Sequence, residues 1–368
     1  MTKTETYKVG EYPALPAPER RETLIYWLRK NLFSTWYNSV LTIFFIYLLG
    51  KIVPPALDWL VISADFYPES RDMCTSGGAC WGVITRRIDQ YIYGFYPPTE
   101  IWRANVFFIL LVLALIPLLW DKTPQRKHAI KFSIAFPLIA YWLLLGGLGL
   151  PVVATEKIGG ILLTVTLGVM GIGLSLPLGI VLALGRRSDM PAVRILCVMF
   201  IEFIRGVPMI SLLFMATVLL PLFLPRDVSV DQLLRVTFIV VLFSSAYIAE
   251  VLRGGLQAIA KGQSEACHAL GLNYWQTMNL VVLPQALKIS IPGIVNTFIG
   301  LFKDTTLVII VGMFDLLGVG RAALTNKQWI GLSNEVYVFI SVIFFIFCFA
   351  MARYSIYLEK KMDTGNKH

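Results

Sequence analysis

Three pairs of charged residues interrupt an otherwise apolar chain, and their spacing limits the chemistry open to them. Glu202 and Arg205, in "IEFIRGVPMI", stand three residues apart and so share one face of a helix. Such a pair can brace a helical bundle, or it can line a wet pathway through a membrane. Counting from the preceding basic turn sets Arg205 roughly 15 Å into its span, near mid-membrane, and Gly206 and Pro208 just after it predict a broken helix there. Lys303 and Asp304, in "GLFKDTTLVII", are adjacent and point about 100° apart on a helix, so each needs its own partner. Thr305 and Thr306 add hydroxyls at the same level, and both pathway lining and bridging between helices remain open for this group. Glu250 and Arg253, three apart again, precede Gly254 and Gly255, a pattern that suits a hinge or inner gate as well as an exposed ion pair of little energetic weight.

A second kind of chemistry belongs to Cys74 and Cys80 in "CTSGGAC". The glycines between them permit a tight closure, and in an oxidising compartment a disulfide is expected, stabilising this hairpin by roughly 2 kcal/mol through loop entropy. None of the three histidines lies nearby, so a metal site is not expected. Cys197, Cys267 and Cys348 are solitary and read as small apolar filler.

The elements that must position these residues follow from composition. With 57% hydrophobic and 15% charged residues and a mean hydropathy of +0.69, the chain reads as an all-α polytopic membrane protein. A helix needs roughly 20 apolar residues to cross the hydrocarbon. Eight candidate spans are present, at about 36–62, 104–120, 132–153, 158–185, 195–224, 236–256, 289–312 and 335–358. The runs are continuous rather than alternating, which excludes a barrel. Lys and Arg crowd the tail, the segments near 122–131 and 186–194, and the last helix, placing both termini in the cytoplasm. The net charge of +9 therefore reports topology rather than nucleic-acid binding. Residues 1–33 form a charged, proline-bearing tail without the apolar core of a cleaved signal, so the first span is expected to target the chain.

Residues 34–157 read as an extension of three spans with a long outside loop at 63–103, and residues 158–368 as a five-span module that holds nearly all the polar residues within spans. In the fourth span Gly171, Ser175 and Gly179 recur every four residues, a stripe that suits close helix packing within the chain or at a subunit interface. The segment 257–287 between spans six and seven is polar and cytoplasmic on this topology. Ser264 or Gly262 can start a short helix that Gly271 ends with a left-handed cap. Asn273, with Gln276 three residues on, can form a capping box for a second helix, and Pro284 marks entry to the next span. The pair is too short to stand alone. Ala266, Cys267, Ala269, Leu270, Trp275 and Met278 must therefore pack on the protein's own inner surface or in a groove of a cytoplasmic partner.

This segment resembles the EAA loop of ABC-importer membrane subunits, whose pattern is E-A-A, three residues, G, nine residues, I, any residue, L-P. The chain has Glu265, Ala266, Cys267, Gly271, Val281, Leu283 and Pro284 at those positions, with Cys267 and Val281 as departures. More narrowly, "IEFIRGVPMI", "AYIAEVLRGGLQAIAKGQSEACHALGL" and "LFKDTTLVIIVG" are similar to the polar amino-acid uptake family, and the longer chain resembles the larger membrane subunit of the general L-amino-acid transporter of Gram-negative bacteria. The resemblance implies a permease of a bacterial inner membrane with a five-helix core. It implies Glu265, Ala266 and Gly271 as residues that couple to two ATP-hydrolysing subunits, a sister permease in a heterodimer, a periplasmic binding protein, and an L-amino-acid substrate. No G-x-x-x-x-G-K-[ST] loop is present, so the chain is not expected to be an enzyme; ATP and Mg would sit in the partner ATPase. Arg205 with Glu202 or Asp304 would suit the two ends of a zwitterion. An ion-coupled secondary amino-acid transporter is the alternative, and it leaves the capped helix pair unexplained.

Overall fold

The computed structural model describes residues 23–120, 122–225 and 230–362. Most of the 1–33 tail and the last six residues therefore lie outside the described residues. The chain divides into two compact units, residues 1–64 with 75–79, and residues 65–74 with 80–368.

In the first unit, α1 (Leu24–Asn31) ends in Arg29 and Lys30, and α2 (Trp36–Leu57) runs on through a π-helical turn, Asp58–Ile62. Thr35 caps α2 by accepting from the Asn38 N–H. Thr42 donates to the Leu32 carbonyl at 2.8 Å, which ties the end of α1 to α2. Trp36–Ile62 is long and apolar enough to cross a membrane.

The second unit opens with a small folded cap. The disulfide joins Cys74 to Cys80, followed by α3 (Gly82–Thr85) and α4 (Ile88–Tyr93). The Cys80 N–H donates to the buried Glu335 Oε1 at 3.2 Å, and Arg71 Nη1 to the Ile330 carbonyl at 2.6 Å. Next come α5 (Ile101–Leu119) and α6 (Arg126–Leu145), an antiparallel hairpin. Its open end is closed by Arg103, fully buried, which donates to the Leu143 carbonyl at 2.6 Å and the Pro151 carbonyl at 2.9 Å. The third span stops at Leu145, earlier than the apolar run suggests, because Gly146, Gly147 and Gly149 all turn with positive φ.

The remaining helices are α7 (Gly160–Arg186), α8 (Pro191–Gly206), α9 (Met209–Phe214), α10 (Leu220–Phe223), α11 (Gln232–Gln257), α12 (Lys261–Ala269), α13 (Tyr274–Thr277), α14 (Leu283–Asp304), α15 (Leu316–Leu324) and α16 (Ser333–Met362). Among the described residues, seven helical segments are long and apolar enough to cross a membrane, and α8 with α9–α10, bent by 103° at the break between them, makes up to eight if the bent pair is counted as one span. The bend falls where the sequence predicts it. Val207 precedes Pro208, and the proline ring disfavours the helical region for the residue before it; Val207 is extended at φ −108°, ψ 134°.

The α5–α6 hairpin shares one apolar core with α7, α11 and α14, through Phe107, Phe136, Leu163, Val240 and Leu301. Residues 34–157 therefore do not form one compact module, since α5 and α6 belong with the five-span part. At the centre, α7 meets α11 along its small residues. A Cβ on Gly171 would lie 2.9 Å from Val240 Cγ1, and one on Gly179 2.7 Å from Ile248 Cγ2. The Gly171, Ser175, Gly179 stripe thus packs inside this chain and is not free to contact a second subunit. Van der Waals contact is what holds helices together in lipid, and the missing side chains let these two backbones close.

Candidate functional site

The charged residues of α7, α8 and α11 converge at the end of the bundle away from the disulfide. Arg186 is the last residue of α7 and reaches two carboxylates, donating through Nη1 to Glu202 Oε1 at 3.0 Å and to Glu250 Oε2 at 3.1 Å. Glu250 also accepts from Arg253 Nε at 2.9 Å and lies 3.6 Å from Arg205. The Arg205 guanidinium stands 5.6 Å from the centre of the Tyr247 ring, a favourable face for a cation. One carboxylate thus gathers three guanidinium groups. The cluster holds three positive and two negative charges, and every ion pair except Glu250–Arg253 joins different helices.

Two expectations change here. Glu202 and Arg205 do not pair with each other, because each finds its partner on a neighbouring helix: Glu202 on α7 and Arg205 on α11. Arg205 is also not at mid-depth. Its carboxylate partner is shared with the terminal residue of α7, so it sits near the end of the bundle, a position that follows from the sharp turn between α8 and α9. Glu250 and Arg253 do pair, yet as part of this larger cluster. Gly254 and Gly255 do not break α11, which continues to Gln257. Gly255 serves close packing instead, since a Cβ there would lie 2.6 Å from the Ala286 carbonyl on α14.

An apolar core of Ala183, Ile201, Ala249, Leu252, Met278 and Val282 joins the same three helices to the segment 257–287. Within that segment α12 spans Lys261–Ala269 and begins after Ala260, whose side chain makes no cap, rather than at Gly262 or Ser264. It ends at Gly271 with φ +76°, where the Gly271 N–H reaches the His268 carbonyl at 2.9 Å and the Leu272 N–H the Cys267 carbonyl at 3.0 Å. Asn273 and Gln276 exchange both capping-box bonds, at 2.9 and 3.0 Å. The second helix is not separate, however. It passes through a π-helical turn, Met278–Val282, straight into α14, one continuous helical run over Tyr274–Val311. Pro284 then falls in the first turn of α14, where its missing N–H is best tolerated, and the wider turn before it leaves room for the ring.

Burial divides the apolar residues of this loop in two. Cys267 and Met278 face the core, whereas Leu270 remains 79% and Trp275 64% exposed. Glu265, Ala266 and Gly271 are exposed beside them. A capped elbow therefore presents an apolar face outward.

The third group lies apart. Lys303 and Asp304 close α14, and the chain continues as a 3₁₀ helix, Thr305–Val311. Thr305 is fully buried and donates to the Phe302 carbonyl at 2.8 Å, so its hydroxyl is satisfied within the helix. Lys303 is exposed and Asp304 half-buried, and among the described residues no hydrogen bond or ion pair ties either side chain to the Arg186 cluster.

Residues 175–364 match the family described as "Binding-protein-dependent transport system inner membrane component". The chain is 49% identical over 356 residues to the inner membrane amino-acid ABC transporter permease protein YhdY of Escherichia coli (strain K12), covering 96% of this chain and 97% of that one. The chain belongs to this family of permeases. It is also 42% identical over 436 aligned residues to the glutamate/glutamine/aspartate/asparagine transport system permease protein BztC of Rhodobacter capsulatus, with both chains covered in full. Among solved structures, an amino acid ABC transporter crystallised with histidines is 26% identical, covering 55% of this chain and 92% of that chain at a TM-score of 0.49. The permease is thus a multi-pass inner membrane protein, and a transport subunit in an ABC system rather than an ion-coupled carrier.

The reading from sequence did not single out Arg186, the one residue of the permease's charge cluster that touches both carboxylates. Its only local signal is a basic residue ending a span just before a tight connection, and that signal marks topology equally well.

Proposed function

We propose that this permease subunit carries L-amino acids from a periplasmic binding protein to the cytoplasm, driven by two ATP-hydrolysing partners that hold ATP and Mg. The carrying observation is near full-length similarity to amino-acid ABC permeases, together with an exposed apolar elbow where the family's coupling loop falls. Both termini and the elbow face the cytoplasm on this reading, following the distribution of Lys and Arg. Glu265, Ala266 and Gly271 form the surface that receives the ATPase, and Leu270 and Trp275 supply the apolar contact. Force applied there reaches α7, α8 and α11 through the core around Met278 and Val282. The Arg186, Glu202, Arg205, Glu250 and Arg253 cluster acts as an inner gate that must part when those helices separate. Asp304 and Lys303 are the candidate contacts for the substrate's ammonium and carboxylate, and a sister permease completes the pathway as a heterodimer.

Reconstituted complexes with the co-expressed ATPase and binding protein test this reading. Gly271→Asp places a β-carbon at φ +76°, costing about 1–2 kcal/mol, and an acidic group on the docking face. Loss of ATPase association and of ATP-driven uptake in a folded variant is the expected result. Uptake at the wild-type rate, or uptake without ATP, refutes it.

A further inference from the structure

We propose that Arg235 receives the α-carboxylate of the L-amino acid on its way into the permease, ahead of Lys303 and Asp304. This rests on the reading of the protein as an amino-acid transport subunit.

Arg235 stands about 4.5 Å along the axis from Gln232, the first residue of α11, at the end that faces outward on the proposed topology. Its side chain is half-buried and turns toward the broken span. There Nη1 donates to the Thr217 carbonyl at 2.7 Å and to the Ala216 carbonyl at 3.3 Å. Both carbonyls belong to Met215–Leu219, a π-helical turn between α9 and α10. Such turns recur at functional sites, and interrupted helices are what transporters use to build theirs.

The counter-charge sets this residue apart from other arginines of the bundle. Arg103, Arg186, Arg205 and Arg253 each form an ion pair with a glutamate. Arg235 meets only neutral carbonyls among the described residues. Asp231, one turn earlier on α11, spends its carboxylate on the Leu233 and Leu234 N–H groups and on the Thr155 hydroxyl. Nε of Arg235 is closed off from solvent and has no hydrogen-bond partner among the described residues. With Nη1 engaged, Nε and Nη2 form the opposite edge of the guanidinium, two parallel N–H groups that fit the two oxygens of a carboxylate. A positive charge without a counter-ion inside a span marks a functional position.

The chemistry selected is a small anion with two oxygens side by side. A lipid phosphate shares it, but an edge enclosed within the bundle favours a solute over a headgroup. Depth then orders the contacts. Gln232 Nε2 donates to the Val311 carbonyl at 2.6 Å, which levels the start of α11 with the end of the 3₁₀ helix. Asp304 precedes that helix, about 14 Å further in at 2.0 Å per residue. A solute entering from outside therefore reaches Arg235 about 10 Å before it reaches Asp304.

The test uses the detergent-solubilised complex with its co-expressed ATPase and second membrane subunit, without binding protein. Binding of labelled L-glutamate, L-glutamine and L-histidine is compared with that of the α-amide of each, which lacks the carboxylate. Wild type is expected to bind at least one acid about tenfold more tightly than its amide, and Arg235→Met to remove that preference by weakening the acid alone. Arg235→Lys keeps a donor for the π-turn carbonyls and loses the fork, so it is expected to fold and still to lose most of the preference. Equal weakening of acid and amide would assign Arg235 a structural role and overturn the proposal. So would a preference unchanged in both variants, a preference abolished by added phosphatidylglycerol, or no binding of any of the three by wild type. ATP-driven uptake in wild-type vesicles supplied with binding protein tests the transport reading separately. Its absence overturns that reading, whereas uptake without an Arg235-dependent preference overturns this proposal alone.

Discussion

Replacing Glu250 by Gln keeps the shape of the side chain and removes the single negative charge on which three guanidinium groups converge. Its partners are Arg253 at 2.9 Å, Arg186 at 3.1 Å and Arg205 at 3.6 Å. At an effective dielectric of 20, one pair at 3.6 Å is worth up to about 4–5 kcal/mol. The side chains are 21% to 32% exposed, so water screens much of that, and about 0.5–1 kcal/mol per pair is the appropriate net figure. Three pairs give a loss of about 2 kcal/mol. Arg186 keeps Glu202 but loses its tie to α11, and Arg205 and Arg253 keep no ion pair, so the loosened contacts are those joining α7 and α8 to α11 while the α7–α8 pair remains. Thermal unfolding in detergent reads the loss as a fall of roughly 2–3 °C for a chain of 368 residues, and raising the salt should narrow the gap between wild type and variant. If the cluster is the inner gate, Glu250→Gln also raises ATP hydrolysis in the absence of substrate. A double-mutant cycle between Arg205 and Glu250 decides the matter. A coupling energy indistinguishable from zero, with wild-type basal ATPase activity, would refute the assignment of a gate to these residues.

Gly255→Ala forces a methyl group to 2.1 Å from Ser290 Oγ and 2.6 Å from the Ala286 carbonyl, and should destabilise by about 1–3 kcal/mol. Gly254→Ala meets nothing within 4 Å and should be neutral or stabilising in the same melt. Reducing the Cys74–Cys80 disulfide, or replacing both cysteines by Ser, should cost about 2 kcal/mol by loop entropy and lower the melting point. Asp315 caps α15 and is fully buried; burial raises its carboxyl from 3.8 to about 6, against the opposing pull of the Gly318 and Leu317 N–H groups and Arg321. Because the folded pKa lies above the unfolded one, the fold favours the protonated form. Stability from this group is therefore greatest below about pH 4 and falls by up to about 3 kcal/mol as pH rises to about 6 and beyond. Asp315→Asn should flatten that part of a melting-point profile against pH, and an unchanged profile would show that Asp315 does not cause it.

Local chemistry was legible without a structure. The capping box of Asn273 and Gln276, the left-handed turn at Gly271, the break before Pro208 and the approximate spans all depend on residues within a few positions of one another. Hydrogen bonds and steric limits over that range are nearly independent of the rest of the fold. Boundaries slipped where a tertiary contact or an unusual turn set the end, as at Leu145 and at the π-helical turn that fuses α13 to α14.

Partnership among the charges was not legible. Spacing of three makes Glu202 and Arg205 neighbours, and the same rule makes Glu250 and Arg253 neighbours, yet only the second pair forms. A carboxylate goes to the guanidinium that packing brings closest, and for Glu202 that is Arg186, on another helix. The small-residue stripe of α7 shows the same limit. Its period established a face for close approach, while the helix that fills it, α11, was decided by how the bundle assembles. Sequence periodicity determined which residues share a side of a helix; tertiary packing alone decided what that side meets, because the energy of a buried contact depends on the surface across from it.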